Sequence, residues 1–376
     1  MVRSRSLVTG AGGFLGHHLV RALKRRGVWV RGVDLKHPEF EPSDADEFVR
    51  ADLRELKSCI AATEGIDDVF NLAADMGGIG FITRYFASVA RNNSLINLNM
   101  LEASRHNGVK RFLFTSSACV YNQSKQQTPD AHGLREEDAH PATPEKGYGW
   151  EKLYAEQLCG YYREDYGLDA RVVRLHNAYG PLGTYEGGRE KAPAAACRKV
   201  AMAAPDDTIE IWGDGLQTRS FLYVDDCIEG LLRLIDARFE RPVSVFPDRH
   251  RTCDFWQSFI SPVNLGSEEL VTIAELYELV SRIAGKRIEL VFNPGMPQGV
   301  RGRNSDNGRL AAILGWQPST PLAVGLEATY RWIEAELARP TQRRHDAARD
   351  ESPHAESEVY GDGTPHAECE TLSETD

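Results

Sequence analysis

Short apolar runs alternate with helix-period stretches through the first half of the chain. Leu7-Val8 is followed by a loop and then a helix near residues 14–26. Val28–Val33 predicts a strand ending at Asp34. Val69–Leu72, Phe112–Thr115 and Ala170–Leu175 read as further buried strands, with helical spacing near 84–107 and 148–166. Strands alternating with helices predict βαβ units and a parallel sheet. Beyond about residue 177 the pattern loosens, and loops rich in glycine and charge (Gly180–Lys191, Trp212–Arg219, Pro294–Asn307) separate short elements. The expected architecture is α/β. A Rossmann-type, doubly wound parallel sheet spans 1–176, and a smaller α/β substrate lobe spans 177–339, with some chain returning to the first domain.

One stretch interrupts the second lobe. The Pro-Val pair at 242–243 recurs 20 residues later at 262–263, and the residues between show neither strand nor helix period. This predicts an inserted surface loop at about 244–263. The 376 residues carry a net charge of −11, of which residues 340–376 hold 10 Asp or Glu against 3 Arg. That polar, acidic tail is expected to be disordered. No broad basic surface remains, which argues against nucleic-acid binding. No apolar run has the length of a membrane helix, and the first strand follows Met1 too closely for a signal peptide. Seven scattered cysteines with no CxxC pair suit a reducing, cytoplasmic setting rather than a disulfide or metal framework.

The chemistry begins at Thr9-Gly10-Ala11-Gly12-Gly13-Phe14-Leu15-Gly16, between the first strand and its helix. Gly10, Gly13 and Gly16 permit a tight turn and close approach of backbone to a pyrophosphate, which the helix N-terminus then receives. Asp34 ends the next strand, where a carboxylate binds ribose hydroxyls and repels a 2′-phosphate, so NAD is favoured over NADP. Asp52 suits the adenine side of the pocket, or equally the cap of a helix. Tyr148 and Lys152 form a YxxxK pair on one helical face. A lysine ammonium beside the phenol is expected to lower its pKa. Ser117, in Thr115-Ser116-Ser117 at a strand end, adds a hydroxyl. Glycine loop, Asp34, Ser117, Tyr148 and Lys152, in this order, resemble the extended short-chain dehydrogenase/reductase superfamily over roughly residues 5–335.

Longer segments are more specific. Asn71–Gly78, Ser116–Cys119, His176–Pro181, Gly188–Ala195, Trp212–Ser220 and Gly299–Asn307 resemble the GDP-mannose 3,5-epimerase family. On the residues alone, Cys119 is either a reactive thiol or a small buried hydrophobe, and Lys191 on its glycine-rich loop is either a reactive amine or a solvated charge. The resemblance implies that the two form an acid–base pair. Tyr148 removes the 4-hydroxyl proton of the sugar, hydride passes from C4 to bound NAD, and the ketone so formed acidifies C3 and C5. Inversion at both carbons followed by re-reduction turns GDP-α-D-mannose into GDP-β-L-galactose, with GDP-L-gulose as a second product, on a route to ascorbate and cell-wall sugars. The resemblance further implies substrate contacts at Gly77, Ser117, Cys119, Asn177, Glu190, Lys191, Ala192, Lys199, Gln217, Arg219 and Arg303, and cofactor contacts at Gly10, Gly13, Phe14, Leu15, Gly16, Asp34, Asp52, Tyr148 and Lys152. It also implies a homodimer through the helices near 84–107 and 148–166. Asn122, Tyr185 and Asp362 depart from the family pattern, although Val359-Tyr360-Gly361 resembles a family segment that returns toward the nucleotide. A C4-only nucleotide-sugar epimerase and a catalytically silent NAD-binding scaffold are the competing readings.

Overall fold

The computed structural model describes residues 4–77, 84–130, 132–238, 262–296 and 298–339. Its elements belong to one unit, Met1–Ala338; Arg339–Asp376 form a second, of which only Arg339 is described. Most of the inserted loop expected at 244–263, the tail with Val359–Gly361, and Gly78 lie outside the described residues.

The strands are β1 (Arg5–Thr9), β2 (Trp29–Asp34), β3 (Glu47–Arg50), β4 (Asp68–Asn71), β5 (Arg111–Ser117), β6 (Asp169–Leu175), β7 (Ala178–Tyr179), β8 (Thr208–Trp212), β9 (Thr218–Ser220), β10 (Leu222–Tyr223), β11 (Val263–Leu265), β12 (Leu270–Thr272), β13 (Glu289–Asn293) and β14 (Gly302–Arg303). The helices are α1 (Phe14–Arg25), α2 (Leu56–Thr63), α3 (Phe86–His106), α4 (Tyr148–Tyr166), α5 (Ala192–Met202), α6 (Val224–Asp236), α7 (Ile273–Ala284), α8 (Gly308–Leu314) and α9 (Leu322–Ala338).

Seven parallel strands form the main sheet in the order β11-β6-β5-β4-β1-β2-β3. Alternation along β1 explains the layering: Leu7 points into a core with α2, α3 and α4, while Val8 points into one with α1 and α6. A strand covered on both faces reads as an unbroken apolar run, which is why these strands are legible in the sequence. Two elements escape the hydrophobic pattern. The edge strand β3 is half-exposed along most of its length, and the eight-residue α2 buries only Cys59, Ala62 and Thr63.

Chain order reverses at β1, with β2 on one side and β4 on the other. Ligands of such sheets bind at the carboxyl ends of the strands beside that switch point. The carboxyl ends here deliver Gly10, Asp34, Asn71, Ser117 and, just past β6, His176 and Asn177. The second lobe has its own core, built by α5, α7 and α9 over β8. The chain returns from it twice: α6 packs under the sheet and β11 pairs with β6.

Candidate active site

The glycine loop is shaped by the space it leaves. Gly10 has φ +68°, and a Cβ on Gly12 would stand 2.1 Å from the Lys36 carbonyl oxygen. A Cβ on Gly16 would stand 2.0 Å from the Gly10 carbonyl oxygen. Gly13 caps α1 in extended conformation, which leaves the first amides of the helix directed out of its N-terminus. The Gly12 amide donates to Asp34 Oδ2 at 3.0 Å and the Lys36 amide to Oδ1 at 3.3 Å. Burial pushes the Asp34 carboxyl up, against those amide bonds. This cradle of bare backbone, helix N-terminus and buried carboxylate fits a dinucleotide with free ribose hydroxyls. Phe14 packs beside the Gly180 and Gly183 turns, and Leu15 against the core. Asp52 is engaged differently: both its oxygens are held by Arg54, at 2.6–3.0 Å, at the entrance to α2.

The groups expected to react, with Arg303, come from four segments. Ser117 ends β5, and its Oγ accepts the Cys119 amide at 3.2 Å, which folds residues 118–120 into a single turn and presents the thiol. Tyr148 and Lys152 share a face of α4. Lys152 Nζ donates to the Thr115 carbonyl at 3.1 Å and lies 5.6 Å from the Tyr148 ring centre. Arg303 on β14 places Nη1 3.8 Å from Cys119 Sγ. Lys191 caps α5, and the Cys119 thiol is the first of the titratable side chains that act on it.

Burial dominates the electrostatics. It lifts Tyr148 well above its ordinary value, with Cys119 and Glu151 adding to the rise and a hydrogen bond with Ser117 opposing it. The expectation that Lys152 lowers the phenol is therefore corrected, because desolvation of the phenolate is the larger effect. Burial likewise lowers Lys152 and Lys191 toward their neutral amines. The Cys119 thiol rises to about 11 through burial and the Glu145 carboxylate, against Arg303. Arg219 falls to about 9 through burial and the nearby Arg303 guanidinium. Arg303 is paired with Glu145, whereas the half-buried Arg219 donates only to backbone carbonyls and keeps a positive charge that suits an anion.

The other residues expected at the substrate come from α5 and from loops beside β4, β7 and β9. Asn177, at φ +39°, donates to the Ser220 carbonyl at 3.0 Å. Gln217 donates to the Trp212 carbonyl at 2.9 Å, and its buried Oε1 accepts nothing in the structure. Lys199 is occupied by the Glu210 carbonyl at 2.8 Å, and Glu190 is paired with Arg198 at 3.3 Å. Ala192 opens α5 with a proline behind it. Gly77 is half-buried at the end of a described stretch.

Several residues had no signal in the sequence. Glu145 holds Arg303 Nη2 at 2.5 Å, and Gln126 holds its Nε at 2.6 Å. Glu151 receives Asn93 at 3.0 Å and Asn97 at 3.2 Å, and this network reaches Asn71 and Thr9 at the switch point. Glu151 is pushed up to about 7, chiefly by burial. The Glu151 position, beside Lys152 on a helix, reads as a surface charge until α3 covers it. Gly12 lies between the glycines of the spacing motif.

Comparison with known proteins adds a family. The model of the NAD dependent epimerase/dehydratase family matches residues 6–245. The chain is 44% identical to GDP-mannose 3,5-epimerase of Arabidopsis thaliana over 360 residues, 95% of this chain and 88% of that one. It is 45% identical to GDP-mannose 3,5-epimerase 1 of Oryza sativa subsp. japonica over 346 residues, 92% and 85% of the two chains. Among solved structures it is similar to UDP-glucuronic acid 4-epimerase from Bacillus cereus in complex with UDP-glucuronic acid and NAD. The TM-score is 0.72 at 25% identity, covering 88% of this chain and 99% of that one.

Proposed function

The chain belongs to the NAD dependent epimerase/dehydratase family, and from that membership we propose that it converts GDP-α-D-mannose to GDP-β-L-galactose, with GDP-L-gulose as a second product. The cofactor is NAD, held by the Gly10–Gly16 loop, the N-terminus of α1 and Asp34. When bound, it supplies a reversible hydride acceptor for C4 of the sugar. Tyr148 is the group that takes and returns the 4-hydroxyl proton, with the Ser117 hydroxyl as a further polar group at the site, and Lys152, on the same face of α4, is anchored on Thr115. Arg219 and Arg303, with Asn177, Lys199 and Gln217, receive the nucleotide and its phosphates. Gly77, Glu190 and Ala192 border the sugar.

A 4-ketone acidifies the neighbouring C–H bonds, and inversion then needs a proton taken from one face and another delivered to the opposite face. The observation that supports the reading is a buried thiol, Cys119, packed with Tyr148, and a half-buried amine, Lys191, whose electrostatics include that thiol. An epimerase acting only at C4 has no use for such a pair.

Incubation with GDP-mannose and resolution of the products by NMR tests the proposal. Formation of the L-galactose and L-gulose nucleotides is expected. A product inverted only at C4, or none, overturns it.

The proposal extends to the assembly, where exposed Leu98 on α3 and Trp150, Tyr154 and Tyr161 on α4 support a homodimer through these helices. Sedimentation of a monomer would remove that part. No helix of the described residues is long and apolar enough to cross a membrane. Free Cys59, Cys119, Cys159, Cys197 and Cys227 support residence in the reducing cytoplasm, with the product serving ascorbate and cell-wall synthesis.

A further inference from the structure

Glu151, buried on α4, ends two hydrogen-bond chains that begin at backbone amides of the segment after β4. In the first, the Leu72 and Ala73 amides both donate to Thr9 Oγ1 at 3.0 Å. Thr9 donates to Asn71 Oδ1 at 2.9 Å, Asn71 Nδ2 to Asn97 Oδ1 at 3.0 Å, and Asn97 Nδ2 to Glu151 Oε2 at 3.2 Å. In the second, the Asp75 amide donates to Asn93 Oδ1 at 2.6 Å. Asn93 Nδ2 then donates to Glu151 Oε1 at 3.0 Å and to the Asp75 carbonyl at 3.1 Å. Thr9, Asn71, Asn93 and Asn97 are at most 1% exposed, so a bond lost among them is not replaced by solvent.

The sense of both chains is forced. A backbone amide can only donate, so Asn93 must turn its oxygen to Asp75 and its nitrogen to Glu151. Thr9 Oγ1 already accepts two amides, one for each lone pair, so its own hydrogen goes to Asn71. That orients Asn71, and Asn71 in turn orients Asn97. Two N–H donors therefore converge on the residue 151 side chain. A carboxylate accepts both. A glutamine accepts one and turns its own N–H toward the other, which leaves a buried donor facing a donor.

We propose that Glu151 is a positioning residue: as the common acceptor of both chains, it fixes residues 72–77 between the dinucleotide loop and the reacting groups, and so sets the border of the sugar site. This rests on the reading of Gly77 as a sugar contact. The segment touches both sides of the site. A Cβ on Gly10 would stand 3.0 Å from the Ala73 amide nitrogen, and Met76 packs against the cluster of Val89, Cys119 and Tyr148. A cross-tie joins it to the catalytic helix. Thr115 donates its hydroxyl to the Asn71 carbonyl at 3.0 Å and accepts Lys152 Nζ on its own carbonyl at 3.1 Å. A shift of the segment therefore misplaces the sugar against Tyr148 without removing any group that reacts.

The test swaps the carboxylate and the amide at the end of the first chain, in the full-length protein with NAD bound. In Glu151→Gln, amide hydrogen exchange of residues 72–75, read by peptide-resolved mass spectrometry, should quicken by about tenfold or more. The kcat/KM for GDP-mannose should fall by about 10–100-fold with NAD retained. Adding Asn97→Asp restores the polarity: the new amide at position 151 donates to the new carboxylate at position 97 and still accepts Asn93, while that carboxylate still accepts Asn71. The double variant should return to within about threefold of wild type in both measurements. A merely structural carboxylate at position 151 would leave it as damaged as Glu151→Gln. Unchanged exchange in Glu151→Gln, or a double variant no better than the single, overturns the proposal. If Glu151→Gln does not fold, the double variant decides: a folded protein with wild-type protection supports the proposal, and one that fails to fold overturns it. Exchange needs no substrate. Protection lost and regained without turnover of GDP-mannose by the wild type therefore fails the function alone, and turnover with protection unmoved fails the role of Glu151 alone.

Discussion

Cys119→Ser separates the chemistry of the sulfur from the architecture that holds it. Cys119 is 8% exposed, in a turn fixed by its own amide on Ser117 Oγ and by its carbonyl, which accepts the Glu145 amide. Neither bond uses the side chain, so serine keeps both. A hydroxyl is slightly smaller than a thiol and leaves only a slight void. What changes is acidity. The thiol, even raised to about 11, can still exchange its proton with a ketone-activated carbon, whereas an alkyl hydroxyl is a far weaker acid and forms no anion there. A positioned acid or base contributes about 10²–10⁴-fold, equal to about 3–5 kcal/mol of barrier at about 1.36 kcal/mol per decade. The assay is incubation with GDP-mannose in D2O, following the C3 and C5 hydrogens by NMR, with the NAD-to-protein ratio measured on the same sample. Cys119→Ser should retain NAD and lose exchange at both carbons by about 100-fold or more. Lys191→Ala should do the same. Wild-type exchange in either variant, with NAD still bound, refutes its proton-carrying role.

Three further outcomes follow from the geometry. Gly12→Ala would place a methyl 2.1 Å from the Lys36 carbonyl oxygen, a backbone atom that cannot swing away, so the loop must shift at a cost of about 1–3 kcal/mol. The protein should then purify with little NAD, and a full complement contradicts the reading. Glu156 holds Arg174 at 2.7 and 2.9 Å with both side chains buried, so Glu156→Gln strands a buried cation and should reduce stability by about 3–5 kcal/mol; a denaturant midpoint unchanged from wild type would contradict that. Glu151, raised to about 7 by burial, binds its proton more tightly in the folded protein than in the unfolded chain. Its contribution to stability is therefore present below the unfolded value of about 4.3 and is lost as pH rises toward 7, at up to about 1.4 kcal/mol per pH unit. The stability of Glu151→Gln relative to wild type should rise between about pH 4 and about pH 7, and a flat difference in denaturation experiments refutes the burial argument.

Much of the site is written locally. The Gly10–Gly16 loop, Asp34 at a strand end and the Tyr148–Lys152 spacing each follow from a turn, a pleat or a helical period that neighbouring residues fix. The same holds for the buried strands β1, β2, β4, β5 and β6, whose apolar runs reflect cover on both faces. The edge strand β3 and short α2 carry weaker patterns because they bury less. Glu145, Gln126 and Glu151 could not be read this way. Each is an ordinary polar residue whose role comes from partners far along the chain: Arg303 for the first two, and Asn93 and Asn97 for the third.

By itself, then, the sequence determined the βαβ order, the dinucleotide loop and the identity of the thiol, amine and phenol, because these depend on residue type and short spacing. Only the tertiary structure decided the direction in which burial and neighbouring charges shift each of them. Whether a thiol is acid or base, and whether a lysine lowers a phenol, depends on how much water each has lost and which charges stand within a few ångströms. Those distances are set by packing across β5, α4, β14 and the start of α5, and no local pattern records them.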